Sequence, residues 1–170
     1  MAGEGSQLAG MFIGEYTFKV DSKGRMSIPA AYRQELADGD PNRPNQDRPR
    51  MVIVYGADNQ KMLQVYTQSA FEALAADIAA LPRGSKQRTI LQRMVLSKSQ
   101  PLEIDPDGRM VLPAFLREKI DLGTEAYFAG VGETFEIWKP ETFEAADQAN
   151  VDQWIDEMGD DFDPLSLLGG

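Results

Sequence analysis

The sequence predicts a mainly β fold with α, in which two half-units of one plan pack as an intrachain pseudo-dimer with helices attached. Two internal matches carry that expectation. The stretch "VDSKGRMSIPAAYRQEL" (20–36) aligns without a gap with "IDPDGRMVLPAFLREKI" (104–120). In that alignment Asp21/Asp105, Gly24/Gly108, Arg25/Arg109, Met26/Met110, Pro29/Pro113, Ala30/Ala114 and Arg33/Arg117 are identical. Further on, "LQVYTQSAFEAL" (63–74) aligns with "FEIWKPETFEAA" (135–146), with apolar residues alternating ahead of a helix start. Repeated units this small do not usually close a core alone, so the two halves are expected to share one.

Each half reads as strand, turn, strand, short helix, strand, turn, strand, longer helix. In the first half "FIGEYTFKV" has the Phe, Tyr, Ile and Val of a strand, and "DSKG" is a tight turn with an Asp to cap it and a Gly to supply positive φ. "RMSI" returns as the second strand of a hairpin, and Pro29 is expected at the first position of the following helix, where its missing N–H has no intrahelical partner. Residues 37–50, "ADGDPNRPNQDRPR", hold three Pro and are expected to form a mobile loop that buries nothing. The matching link in the second half is only "DLG", so this loop is an insertion within the repeat.

Phe71, Leu74, Ile78 and Leu81 form a helical stripe behind a Thr67 N-cap, and Ser85 is a candidate cap for a second helix. The expected organisation is a first unit over 11–82, a basic connecting helix over 83–98, a second unit over 99–147, and an acidic helix end and tail over 148–170. Residues 141–158 are expected to be helical and the rest of the tail frayed, since Gly159 and Pro164 interrupt it.

Composition narrows the chemistry. There is no Cys and no His, which removes disulfides, thiolate nucleophiles, the usual zinc sites and imidazole bases. No signature of paired catalytic carboxylates is present, "GVGETF" is only a fragment of a Gly-rich phosphate loop, and no cofactor is expected. The N-terminus lacks the features of a secretory leader and no apolar run reaches membrane-spanning length, so a cytoplasmic protein without a membrane partner is expected. The net charge of −10 is unevenly spread: residues 1–100 carry 13 Lys/Arg against 10 Asp/Glu, and residues 101–170 carry 4 against 17. The acidity belongs to the C-terminal part.

The candidate functional residues sit on the turns, because a tight loop on a rigid hairpin presents side chains with little ordering cost. In "KVDSKGR", Lys19, Lys23 and Arg25 place three positive charges beside Asp21. Arg can grip a phosphate or pair with guanine O6 and N7, and Lys acts as a point charge on the backbone. Turn geometry accounts for Asp21, Gly24, Asp105 and Gly108, but it does not require the Arg that follows each Gly. A structural reading stays open, with Asp21 holding Arg25, and Asp105 holding Arg109, in exposed ion pairs. The second turn is weaker: Asp107 stands where the first has Lys23, and Glu103 where it has Lys19. Arg83 and Lys86 lie in the basic segment, which is a secondary nucleic-acid contact or a subunit interface. The acidic tail is a solvated face, a helix that docks on a neighbouring subunit, or a competitor for a basic surface.

The pattern "MFIGEYTFKVDSKGRMSIPAAYRQEL", then "IDPDGRMVLPAFLREKIDLG", then "AGVGETFEIWKPETFEAA" resembles the MraZ family of bacterial transcriptional regulators over about residues 11–147. The resemblance implies an AbrB-like swapped-hairpin β-barrel in each half-unit and subunits assembled as a homo-oligomeric ring, an octamer in this family. It also implies binding of double-stranded DNA at G-rich direct repeats in the promoter of the cell division and cell wall gene cluster, with repression and autoregulation, in the nucleoid. Carried over, Asp21 and Arg25 match the first motif, Asp105 and Arg109 the second, and Lys23 the basic position of the first turn. An antitoxin-like protein of AbrB fold, with its acidic C-terminal segment on a protein partner, is the alternative. A purely structural ring is a third.

Overall fold

The structure, a computed structural model, describes residues 10–42 and 48–169. The chain divides into two compact units, Met1–Lys139 and Pro140–Gly170. In the first unit the chain runs β1 (Glu15–Lys19), β2 (Arg25–Ser27), α1 (Ala30–Asp38), β3 (Arg50–Val54), β4 (Met62–Thr67), α2 (Gln68–Ala79) and α3 (Lys86–Met94). It then repeats the plan as β5 (Ser99–Glu103), β6 (Arg109–Val111), α4 (Ala114–Lys119), β7 (Glu125–Gly130) and β8 (Phe135–Trp138). Thr67 and Ser85 cap α2 and α3 as expected, accepting from the amides of Ala70 and Arg88. Pro29 sits one residue earlier than expected, outside α1, because its ψ of 139° is extended while its carbonyl already accepts from Arg33.

Six strands form one antiparallel sheet in the order β1-β7-β8-β4-β3-β5, and β2 pairs with β6 in a separate two-stranded ribbon. The hairpin expected at "DSKG" therefore closes only its turn. β1 continues onto β7 of the second half, β5 pairs with β3 of the first, and β4 pairs with β8. The registers share one two-fold relation: Met26 lies opposite Met110 and Gln64 opposite Glu136, each residue facing its own repeat equivalent. The sheet does not close on itself among the described residues, so the expected barrel is an open sheet with a ribbon laid on one face.

That face holds the core. Met51 and Ile53 of β3, Leu63 and Val65 of β4, Phe128 of β7 and Ile137 of β8 point inward to Met26, Ile28, Met110 and Leu112 of the ribbon and to Tyr32, Leu36 and Leu116 of the short helices. The Tyr32 hydroxyl donates to the Gly14 carbonyl at 2.6 Å, and burial pushes its pKa up. The other face of the sheet takes α2, through Phe71 against Tyr66. In the second unit α5 (Pro140–Thr142) leads through a π-helical stretch, Phe143–Gln148, into α6 (Ala149–Met158). Gly159, at φ 96°, ends α6, but Pro164–Gly169 winds into a 3-10 helix whose start is held by Asp163, a departure from the frayed tail expected.

The Pro-rich insertion is not featureless either. Residues 43–47 lie outside the described residues, but Asp40 is only 3% exposed, which corrects the expectation that the segment buries nothing. Its carboxylate accepts from the Arg50 guanidinium at 2.6 Å and from the amides of Arg50 and Asn42. These contacts join the end of α1 to the start of β3 and hold the carboxyl at about 2, well below its usual 3.8, led by the Arg50 hydrogen bond. Because the folded value is depressed, the stabilisation is complete above the ordinary carboxylate range and fades as pH falls toward about 2. Asp40→Asn should lower stability in denaturant melts at neutral pH by about 1–3 kcal/mol. The difference from the unaltered chain should shrink as pH drops from about 4 to about 2.

Candidate nucleic-acid interface

The two turns are built alike. Asp21 accepts the Gly24 amide through its carbonyl at 3.0 Å, and through its side chain it accepts the amides of Lys23 and Arg25, each at 2.9 Å. Asp105 repeats the arrangement with Gly108, Asp107 and Arg109 at 2.9 Å throughout. An Asp at this position can satisfy two backbone donors that no strand partner reaches, which is why the residue type matters.

Each turn is seated by the opposite half. The Leu112 amide donates to the Gly24 carbonyl at 2.9 Å, and the Ile28 amide to the Gly108 carbonyl at 3.0 Å. Gly24 has φ +85°, and a Cβ there would stand 2.6 Å from the Leu112 carbonyl oxygen and 2.7 Å from Arg117 Nε. A Cβ at Gly108 would meet the Arg33 side chain at 3.0 Å. Arg33 and Arg117 are fixed in turn by bonds to the carbonyls of Ile28 and Leu112 at 2.6 and 3.0 Å. These two arginines were among the repeat identities, and that was the signal for them. Their side chains pack against the other half's turn.

The ribbon sets the geometry of the exposed side chains. Met26 and Met110 are buried, so the alternate residues Arg25, Ser27, Arg109 and Val111 share its outer face. Arg25 stands opposite Val111 and Ser27 opposite Arg109. The two arginines are therefore diagonal neighbours, a placement with α-carbons roughly 7–8 Å apart in an antiparallel pair. The sequence placed them on separate turns, and the strand exchange brings them to one surface.

They are not equivalent. Arg25 Nε donates to Asp21 Oδ2 at 2.6 Å, which fixes the guanidinium by its inner edge. Arg109 stands off from Asp105 at 3.7 Å and turns Nη2 toward Asp107 Oδ2 at 3.4 Å. Lys23 is exposed on the first turn, where the second has Asp107. Lys19 is also exposed, but alternation along β1 points it to the α2 face of the sheet, directly opposite Glu125. Arg83 and Lys86 belong to the α2–α3 region on that same side. The structure thus joins Lys23, Arg25 and Arg109, and separates Lys19, Arg83 and Lys86 from them.

Comparison with known proteins decides the family. The family described as "MraZ protein, putative antitoxin-like" matches residues 11–94 and 95–154. The chain belongs to the MraZ family. It is 53% identical over 159 residues to a protein of Ruegeria sp. (strain TM1040) named "Transcriptional regulator MraZ", covering 94% of this chain and 95% of that protein. Proteins of the same name from Ruegeria pomeroyi and Cereibacter sphaeroides (strain ATCC 17025) are 48% and 40% identical, covering 96% and 95% of this chain and 98% and 97% of theirs. The two matched segments of this MraZ-family chain correspond to its two repeats, each with one Asp-anchored turn.

Among the described residues of this MraZ-family chain, no group of acidic side chains is placed to hold a metal ion, and no helix is long and apolar enough to cross a membrane. The ionic behaviour of the first turn is measurable directly. The amide of Arg25 leads the causes that lower the Asp21 carboxyl to about 2, ahead of the guanidinium itself. An NMR titration of the Asp21 carboxyl should find that value. In Arg25→Ala the value should rise only part of the way to 3.8, because the amide remains. The turn's contribution to stability is present above the ordinary carboxylate range and is lost as pH falls through about 2.

Proposed function

We propose that this chain is a sequence-specific DNA-binding transcriptional regulator without catalytic activity or cofactor. It acts as a homo-oligomeric ring, an octamer by family resemblance, in the cytoplasm at the nucleoid. Its site is the set of G-rich direct repeats in the promoter of the division and cell wall gene cluster, where it represses that cluster and its own synthesis. The observation that carries the reading is the outer face of the ribbon, where Arg25, held by Asp21, stands beside Arg109 with Lys23 at its edge. The relatives' name, transcriptional regulator, supports it.

In this reading Arg25 pairs with guanine in the major groove, and Asp21 orients it from behind without facing phosphate. Lys23 contacts the backbone, and Arg109, drawn toward Asp107, contributes less. Lys19, Arg83 and Lys86 are at most outer phosphate contacts, since none shares the ribbon's face. Single modules bind weakly, and a ring that presents several ribbons to tandem repeats gains through effective concentration. A second reading, an antitoxin-like protein whose acidic segment binds a protein partner, is favoured by the family's description and by the exposed acids of α6. Two repeats in place of the one such antitoxins carry stand against it.

Fluorescence anisotropy with a duplex of tandem G-rich repeats and a scrambled duplex, at two salt concentrations, tests the proposal. Arg25→Ala should weaken binding to the repeats by about 1–3 kcal/mol per engaged protomer and abolish the preference over scrambled DNA. Lys23→Ala should weaken both duplexes alike and lower the salt slope by about 1. Equal losses on both duplexes for Arg25→Ala would remove its base-reading role, and absence of any salt-dependent binding would remove the whole proposal.

A further inference from the structure

We propose that the outward face of α3 is the docking site for α6 of a second copy of this chain. The inference rests on the assembly reading above and names the surfaces that would build it. No residue of α3 is fully buried, and its outer stripe sets Ile90 (54% exposed) and Met94 (39% exposed) one turn apart. Lys86 stands one turn before Ile90 and Arg93 beside Met94, both exposed. Residues 83–98 hold five bases and no acid. Arg88 is engaged, donating to the Leu81 carbonyl at 3.3 Å, so the outward charge belongs to Arg83, Lys86 and Arg93.

The complement is α6, which also buries none of its residues fully. Val151, Trp154, Ile155 and Met158 recur at i, i+3, i+4 and i+7, so they form one stripe, with Trp154 58% and Met158 54% exposed. Asp152 lines one flank of it and Glu157 the other. Residues 141–163 carry nine acids and no base. An exposed apolar stripe rimmed by charge marks an interaction surface, and a Trp at its centre is the usual anchor of one.

Neither stripe suits a copy of itself, since α3 against α3 would oppose bases and α6 against α6 would oppose acids. Each suits the other, with opposite charges guiding encounter and fixing orientation around the apolar contact. A contact from α3 of one copy to α6 of the next is head-to-tail, the kind that builds a ring where its rotation closes and an open filament where it does not.

Two full-length variants test this, Lys86→Glu/Arg93→Glu and Asp152→Lys/Glu157→Lys, compared with the unaltered chain by sedimentation velocity at micromolar concentration. The expected result is an oligomer for the unaltered chain and its loss in each variant alone. The oligomer should return in an equimolar mixture, where every reversed surface meets its opposite. That recovery also establishes that both variants fold. Persistence of the oligomer in both variants, or failure of the mixture to recover it, overturns the α3–α6 contact and leaves assembly through another surface standing. A monomeric unaltered chain overturns the assembly reading together with the contact, while its Arg25-dependent preference for the repeats, read by anisotropy, reports on the DNA reading separately.

Discussion

Space is the constraint at the two turns: where Gly24 and Gly108 would carry a side chain, the opposite half already has backbone or an arginine. That close approach ties local turn chemistry to the association of the halves. Gly24 brings its carbonyl to the Leu112 amide, and Gly108 does the same for Ile28, so the ribbon is extended at both ends by bonds between repeats. The ribbon and its extensions in turn supply four buried side chains of the core, Met26, Ile28, Met110 and Leu112. Loss of the fit at one turn is therefore felt in the core and at the exposed arginines together. Neither half keeps its own sheet, because each contributes a first strand to the other's third.

The two-fold relation makes two equivalent sites, and a few substitutions make them unequal. At the rim of the sheet Lys19 faces Glu125, and at the equivalent place Glu103 faces Arg50, the same cross-strand pairing with its signs exchanged. At the turns, Lys23 against Asp107 has a larger effect. With Lys23 the guanidinium of Arg25 answers only to Asp21 among the described residues. With Asp107 the guanidinium of Arg109 is pulled along its own turn. A single carboxylate thus gives two turns of one backbone plan different guanidinium settings, without disturbing the fold that carries both.

Much of this was legible in the sequence where the physics is local. The Asp and Gly of each turn, the caps at Thr67 and Ser85, the start of α1 to within one residue at Pro29 and the break at Gly159 follow from backbone conformation and unpaired amides, which neighbouring residues decide. Strand partners were not legible in the same way. Alternation says which side chains of "FIGEYTFKV" face the core, but it does not say whether β1 pairs with β2 or with β7. For the same reason Lys19 was grouped with Lys23 and Arg25, four and six residues away, although the pleat turns it to the other face of the sheet. Asp40 was hidden because an acid in a Pro-rich run reads the same whether it is solvated or bound to Arg50. Composition and periodicity could not give the strand exchange, and the open sheet departs from the barrels that the family resemblance implied.

The sheet also resolves the apparent conflict between an acidic chain and a nucleic-acid ligand. One of its faces carries the ribbon, with the arginines on the ribbon's far surface, and the other carries α2, on which α3 packs. Phosphates approaching the ribbon meet a field dominated by nearby side chains, since charges more than a Debye length away, about 8 Å at physiological salt, are largely screened. The net charge of −10 therefore does not by itself decide whether the ribbon, as proposed, meets DNA. The same separation leaves the basic α3 free while the ribbon is occupied. In the proposed reading a ligand on one face and a neighbouring subunit on the other do not compete for charge, because the shared strands set the ribbon and α3 on opposite faces of one sheet.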